Sequence, residues 1–150
     1  MSLKGFFLAW LFSALVMLGA SYLWHGIILN DIERLNYPKE IYLTGSIITY
    51  LILGFVLTKI YLMKFPRPIS KRPMLRGVIS GASLGIVAYI LSLVIGVSFS
   101  SSLTIKNILF DMTWQTTEQI IGGIVVGIAY VAEFEGNFLR VVARKLFGED

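Results

Sequence analysis

Two carboxylates and two amides lie close together near the start of an apolar stretch in the last third of the chain. Asp111, Gln115 and Glu118 follow one another at intervals of four and three residues, so a helix would place them on one face, with Gln119 beside them. Acidic side chains are costly inside a bilayer, where they face other helices or water. The spacing therefore indicates a site that binds a polar or cationic ligand or exchanges a proton.

Aromatic and hydroxyl residues elsewhere are candidates for the rest of that site. If the last apolar stretch begins near Ile108, the rise of about 1.5 Å per residue puts Glu118 about 15 Å below the outer end of its helix. His25 lies four residues from the outer end of the first apolar stretch, at nearly the depth of Asp111. We expect an outward-facing polar pocket between the first and the last helix, with Glu118 as its floor. The predicted walls are Trp24 and Trp114, and the second helix contributes Thr44, Ser46, Thr49 and Tyr50.

Simpler roles for the same residues stay open. Intramembrane Asp, Glu and Gln side chains often hydrogen-bond a neighbouring helix at roughly 0.6 to 2 kcal/mol each, without any ligand. Contact with a partner chain is a further explanation for Glu118. His25 is compatible with an interfacial hydrogen bond, with a pH-responsive contact to Asp111, or with axial ligation of a haem or pigment in a larger complex.

The composition is that of an integral membrane protein. The 150 residues are 56% hydrophobic and 15% charged, with a mean hydropathy of +0.77, outside the balance of soluble domains. Spans of about 20 apolar residues fit four times into this length, so we expect one domain, 1–150, folded as an all-α bundle of four transmembrane helices. The first apolar stretch is too long for a signal peptide. The predicted spans are 5–29, 41–63, 77–100 and 108–132, followed by a short amphipathic surface helix over about 133–147.

Basic residues are distributed unequally between the two sides of this arrangement. The segment from Lys64 to Arg76 holds five basic residues, no acid and three prolines, which interrupt any continuous helix. Ten basic residues share the side of both termini and three lie opposite, which predicts cytoplasmic termini. We expect anionic lipid to contact this segment and the one from Arg140 to Lys145. Nucleic acid is not expected, because the basic residues flank apolar stretches.

Glycines recur at every fourth position in the third predicted span and again in the fourth. They are Gly77, Gly81 and Gly85, then Gly123 and Gly127. A helix presents such a strip on one face, where a neighbouring backbone can approach closely. We therefore expect the third and fourth spans to pack against each other along these residues.

Several chemistries have no basis in this sequence. The chain has no cysteine and one histidine, which excludes thiolate metal sites, disulfides and a two-histidine haem site within one copy. No catalytic triad, zinc motif or phosphate-binding loop is recognisable. We predict no catalytic residue, no metal site and no cofactor of the chain's own.

Two short motifs carry a family resemblance. The segment Gly19-Ala-Ser-Tyr-Leu-Trp24-His25-Gly26 closes the first predicted span, and Asp111-Met-Thr-Trp114-Gln115 opens the last, followed by Gly122-Gly123 and Gly127. In these motifs the chain resembles a family of small four-span bacterial membrane proteins without an established activity. The resemblance covers most of the chain and implies four helices in a bacterial cytoplasmic membrane. Because that family more often has Trp-Tyr at the end of the first span, His25 is a departure, and the resemblance implies no shared role for it.

Three classes of function fit these observations. The leading hypothesis is a small binding or transport-type protein, linked to protons or cations, that uses the outward pocket. The alternative is a non-catalytic accessory or assembly subunit of a larger membrane complex, or a homo-oligomer, that associates through the glycine faces. The third is a membrane enzyme acting on lipid, with Glu118 or Asp111 as acid or base. The residues do not select a ligand or substrate.

Overall fold

The computed structural model describes residues 1–30, 32–34, 38–97 and 104–135. Within these ranges the chain forms helices and no strand. The predicted surface helix lies outside the described residues from position 136 onward, together with the segment from Arg140 to Lys145.

Four long helices account for most of the described chain. Helix α1 spans Leu3–Ser21 and continues as a π-helical turn, Tyr22–Ile28. Helix α2 spans Lys39–Leu62, α4 spans Pro73–Val97, and α5, the longest, spans Ile105–Glu135. Two single turns lie between them, a 3-10 turn over Ile32–Arg34 and helix α3 over Arg67–Ser70. Each long helix overlaps one predicted span, with ends displaced by a few residues.

Local sequence explains where these helices begin and end. The hydroxyl of Ser2 accepts a hydrogen bond from the N–H of Gly5 at 3.1 Å and so caps α1. Asn30, with a φ of 55°, follows the π-helical turn in the left-handed conformation that ends helices. Proline precedes α2 and α3 and is the first residue of α4, the position where its missing N–H costs no helical hydrogen bond.

Helix α5 lies at the centre of the bundle. Its most extensive interface is with α4, and it also packs on α1 and α2, whereas α1 and α4 do not touch each other in the described ranges. The N–H of Ser2 donates to the carboxylate of Glu133, which joins the start of α1 to the end of α5. We call the end of the bundle that carries Lys4, Lys64 and Arg76 the basic end, and the opposite end the groove end.

The distribution of side chains is suited to lipid. Large apolar residues cover the outside: Leu15, Ile28 and Val94 are 62%, 64% and 64% exposed. Polar residues lie inside, and the buried ones are Ser13, Ser21, Thr58, Ser80, Glu118 and Gln119. Soluble monomeric proteins rarely expose so extensive an apolar surface to water.

Three of the long helices have the length and composition needed to cross a membrane. They cover Leu3–Ile28, Lys39–Leu62 and Pro73–Val94. Helix α5 is long enough but less apolar, because it carries the polar residues from Asp111 to Gln119. The described part of the chain is thus all-helical, with three membrane-compatible helices that each pack on a more polar fourth.

Candidate functional site

Glu118 and Gln119 lie near the middle of α5 and are almost completely buried, at 1% and 0% exposed. Adjacent positions on a helix point in different directions, so the two side chains serve different interfaces. Glu118 lies beside Tyr50 on α2. Gln119 belongs to the face that packs on Gly81 of α4. The polar centre of α5 therefore contacts both sides of the bundle.

Glu118 is connected to α1 and α2 by a short series of hydroxyl groups. Its carboxylate is in hydrogen-bonding contact with Tyr50, and Tyr50 is in contact with Ser21 at the end of α1. The Oε1 atom of the carboxylate is nevertheless buried without a hydrogen-bond partner. The indole Nε1 of Trp114 also faces this carboxylate, but it is buried and does not complete a hydrogen bond of normal geometry. The site thus retains unused hydrogen-bonding capacity.

A polar groove of about 450 Å³ opens at the groove end, between α1 and α2. Tyr50 is only 8% exposed and lies at its inner end. Because Tyr50 touches both this groove and Glu118, the carboxylate is one side chain away from the outside. The polar residues that line the groove are Ser21, His25, Tyr42, Ser46, Thr49 and Tyr50.

The position of the groove differs from the expected one between the first and the last helix. Trp24 and Trp114 stack there with ring centroids 4.1 Å apart and planes 10° from parallel, and Phe110 extends the cluster. These rings pack between α1 and α5, and they line a depression of about 360 Å³ together with Lys106, Thr113 and Thr117. Glu118 is not part of this depression, and the groove that reaches Tyr50 lies between α1 and α2.

Asp111 and Gln115 do not share the surroundings of Glu118. Asp111 is exposed, and Tyr89 on α4 is among its electrostatic neighbours. The groove that contains His25 does not include Asp111. Gln115 is half-buried, with its carbonyl next to Gly85. The start of α5 is largely exposed, so only the deeper part of the predicted polar face points into the bundle.

Thr44 and Ser21 show the limits of face assignment from sequence. Thr44 is exposed in a separate shallow depression with Glu40 and Ile48. Ser21 was not predicted as a site residue, although it precedes His25 by four positions and therefore lies on the same side of the helix. That spacing was the available signal for it.

The predicted glycine strip of α4 lies directly against α5. A side-chain atom at Gly81 would collide with the carbonyl group of Gln119, and one at Gly77 would collide with that of Gly123. Gly85 lies against Thr116, and Gly127 against the carbonyl of Pro73. Ser80, on the same helix, is 0% exposed, and its hydroxyl has no hydrogen-bond partner. Neither side-chain polar atom of Gln119 has one.

A second polar cluster, not predicted from sequence, lies at the basic end. The guanidinium carbon of Arg76 is 4.7 Å from the ring centroid of Tyr61 and 5.3 Å from that of Phe65. One terminal nitrogen donates to the carbonyl of Met63 at 2.7 Å. The Nε of Arg76 and the hydroxyl of Tyr61 are buried and unpartnered. The cation is held by aromatic faces and one carbonyl.

The described residues bring together no group of three or more His, Asp or Glu side chains that would hold a metal ion. Comparison of the chain with protein-family models, with curated proteins and with solved structures finds no match. The family resemblance seen in the short motifs stays a prediction.

Proposed function

We propose that this chain is a small binding or transport-type membrane protein in which a polar or cationic ligand, or a proton, reaches Glu118 from the groove. One observation carries the proposal: a carboxylate at the centre of the bundle is buried with one oxygen unpartnered, yet it touches a residue that lines an open polar groove. This arrangement supplies both a binding group and a route to it.

The alternative role for Glu118, as a hydrogen-bonding contact between helices, accounts for less of the geometry. A buried polar group without a partner costs about 1 to 3 kcal/mol, and more if it is charged. The contacts with Tyr50 and Trp114 hold the carboxylate in place, and its Oε1, which completes no hydrogen bond, is available to a ligand.

The proposed function also requires a particular orientation of the protein in the membrane. We place α5 across the membrane as a fourth span, because its 31 residues extend about 46 Å at the helical rise and it packs on the three apolar helices. The basic end then faces the cytoplasm with both termini, and the groove opens outward in a bacterial cytoplasmic membrane. Anionic lipid headgroups contact the segment from Lys64 to Arg76.

One argument for an accessory-subunit function, the availability of the glycine faces, no longer applies. The glycines through which such a subunit was expected to associate are already covered by α5 of the same chain. No observation on the described residues favours an enzyme acting on lipid.

Site-specific labelling tests the access route. The chain has no cysteine, so a single introduced thiol reports on one position. In intact cells, Thr49→Cys is expected to react with a membrane-impermeant maleimide added from outside. Leu57→Cys, at a fully buried position of the same helix, is the matched control and is expected to stay unlabelled. Labelling of Thr49→Cys only after the membrane is permeabilised contradicts an outward groove.

Cation binding tests the role of Glu118. Methylammonium chloride is expected to raise the Tm of the purified protein at constant ionic strength, and Glu118→Gln is expected to abolish this increase while leaving the basal Tm close to that of the wild type. Asp111→Asn, which changes an exposed carboxylate outside the groove, is the control and keeps the response. If Glu118→Gln fails to fold, Glu118 is a structural contact and the proposal is wrong.

A further inference from the structure

We propose that the species carried through this protein is the proton, and that it passes from Glu118 toward the basic end along a file of buried polar side chains bridged by interior water. The file consists of Glu118, Gln119, Ser80 and Tyr61, and Arg76 stands at its exit. This inference rests on the proposed function, because Glu118 is the point of entry from the groove.

The first support is a set of buried polar atoms without partners. Gln119, Ser80 and Tyr61 are each 0% exposed, Glu118 is 1% exposed, and each has a side-chain nitrogen or oxygen that makes no hydrogen bond. Such groups are rare in proteins and are especially unfavourable at membrane depth, where no bulk water is present. Water held between several polar groups is the usual way of satisfying them.

The second support is their spacing along the bundle. Gly81 meets Gln119 and Gly77 meets Gly123, so four residues toward the basic end on α4 correspond to four residues in the same direction on α5. By this register Ser80 lies about 3 Å below Glu118 along the helix axis, and Arg76 about 9 Å below it. Because hydrogen-bonded oxygens are about 2.8 Å apart, two or three waters would be enough to bridge these heights.

An apolar layer separates this file from an open channel. Met17, Leu57 and Val126 are each 0% exposed, and the first two lie against Gly122, one turn below Glu118. A continuous column of bulk water therefore does not pass beside Tyr50 to Tyr61. Thr58, next to Leu57, is also buried, but its hydroxyl donates to the carbonyl of Gly54 at 2.8 Å. Among the described residues near this height, the buried hydroxyl without a partner is that of Ser80, which puts the path on the α4 side, where a proton can hop between single waters.

The proton balance of this path is complete without a further reactant. Water in the groove transfers a proton to the carboxylate of Glu118 through the contact with Tyr50, and an O–H bond forms on the carboxyl. That bond breaks when the proton passes to water beside Ser80, and the carboxylate is restored. One proton enters at the groove end and one leaves at the basic end.

The positive charge of Arg76 opposes the passage of a proton at the basic end of the file. Its guanidinium keeps its charge and is fixed against Tyr61 and Phe65. A fixed positive charge at a constriction opposes the passage of cations. The titratable or charged side chains that the packed elements place along the file are Tyr50 and Tyr61 on α2, Arg76 on α4 and Tyr130 on α5. Those nearer the groove end are His25, Tyr42, Tyr89 and Asp111.

Proton flux into liposomes tests this path. The full chain is reconstituted with a pH-sensitive dye inside, and a potassium gradient with valinomycin supplies the driving force. Wild-type protein is expected to acidify the interior faster than protein-free liposomes. Ser80→Ala is expected to slow the flux about fivefold, the effect of one lost hydrogen bond. Ser83→Ala, which changes an exposed serine on the same helix, is the matched control and leaves the flux unchanged.

A second variant moves the flux in the opposite direction. Arg76→Gln removes the charge at the exit and is expected to raise the proton flux, while the elution volume of the protein stays that of the wild type. The inference is wrong if wild-type liposomes acidify no faster than empty ones, if Ser80→Ala conducts like Ser83→Ala, or if Arg76→Gln lowers the flux. None of these results bears on the labelling of Thr49→Cys, whose failure in intact cells overturns the outward groove on which the proposed function depends.

Discussion

Two glycines, Gly81 on α4 and Gly45 on α2, have opposite surroundings. A side-chain atom at Gly81 would overlap the backbone of α5, whereas one at Gly45 would meet nothing within 4 Å. Gly81 lets two helices touch and fixes the position of Gln119, and Gly45 lines the groove that leads to Tyr50. The bundle therefore combines a closed interface, α4 on α5, with an open one, α1 on α2 at the groove end. The closed interface positions the polar centre and the open one provides access to it.

Substitution by leucine at the two glycines separates these roles most strongly. Gly81→Leu is expected to lower the free energy of unfolding by about 3 kcal/mol or more, because a backbone, unlike a side-chain tip, cannot move aside. Gly45→Leu is expected to change it by less than about 0.5 kcal/mol. Thermal unfolding in detergent, followed by tryptophan fluorescence, measures both. Equal stability of the two variants would show that the α4–α5 interface is not the closed one.

Substitution of Trp114 in the aromatic stack at the groove end is expected to have a smaller effect on stability. Trp114→Ala removes the partner of Trp24 and is expected to cost about 2 kcal/mol, the sum of lost burial and ring stacking for a half-buried residue. Trp114→Phe keeps a ring at this position and is expected to recover about half of that. Chemical unfolding midpoints give the comparison. A Trp114→Ala protein as stable as the wild type would mean that the stacked rings do not stabilise the contact between α1 and α5.

Substitutions that remove the contact between Ser2 and Glu133 are expected to have the smallest effect on stability, and this effect is expected to depend on pH. Hydrogen bonds from the side chain and the backbone of Ser2 lower the pKa of the Glu133 carboxyl. A carboxyl whose pKa is lowered by folding stabilises the protein above its unfolded pKa, and this contribution is lost as the pH falls through the folded pKa. The Tm difference between wild type and Glu133→Gln is therefore expected to shrink from about pH 7 to about pH 3.

A variant of the donor separates the two hydrogen bonds. Ser2→Ala removes the side-chain donor and leaves the backbone N–H, so it is expected to lose only part of the pH-dependent difference seen with Glu133→Gln. A Tm difference that stays constant over the same pH range would contradict a contribution from the ionised carboxylate.

The helical framework could be predicted from sequence patterns that have a strong physical cause. The helices follow from apolar stretches of membrane length, and the second predicted span begins two residues after the observed start of α2 at Lys39. The burial of Glu118 and Gln119 was expected from the cost of exposing them to lipid. Three of the four predicted spans have the corresponding composition in the structure, and α5 as a span remains a prediction.

The details that decide access could not be predicted, because they depend on which side chains meet. Trp24 and Trp114 stack on each other beside a depression that does not include Glu118, and nothing in either segment indicates that they meet. Asp111 shares a helical face with Glu118, yet lies where α5 has few neighbours. The π-helical turn that carries His25 has no propensity signal in its residues.

A π-helical turn holds one residue more than the helical turn it replaces, so Tyr22–Ile28 resembles a regular helix with a single insertion. Removing one residue there would restore a regular helical turn and leave the segment that follows nearly in place. The side chains within the turn, His25 among them, would take up new directions, although no groove residue had been substituted. The gain or loss of one codon is thus a route by which such proteins can evolve a different lining.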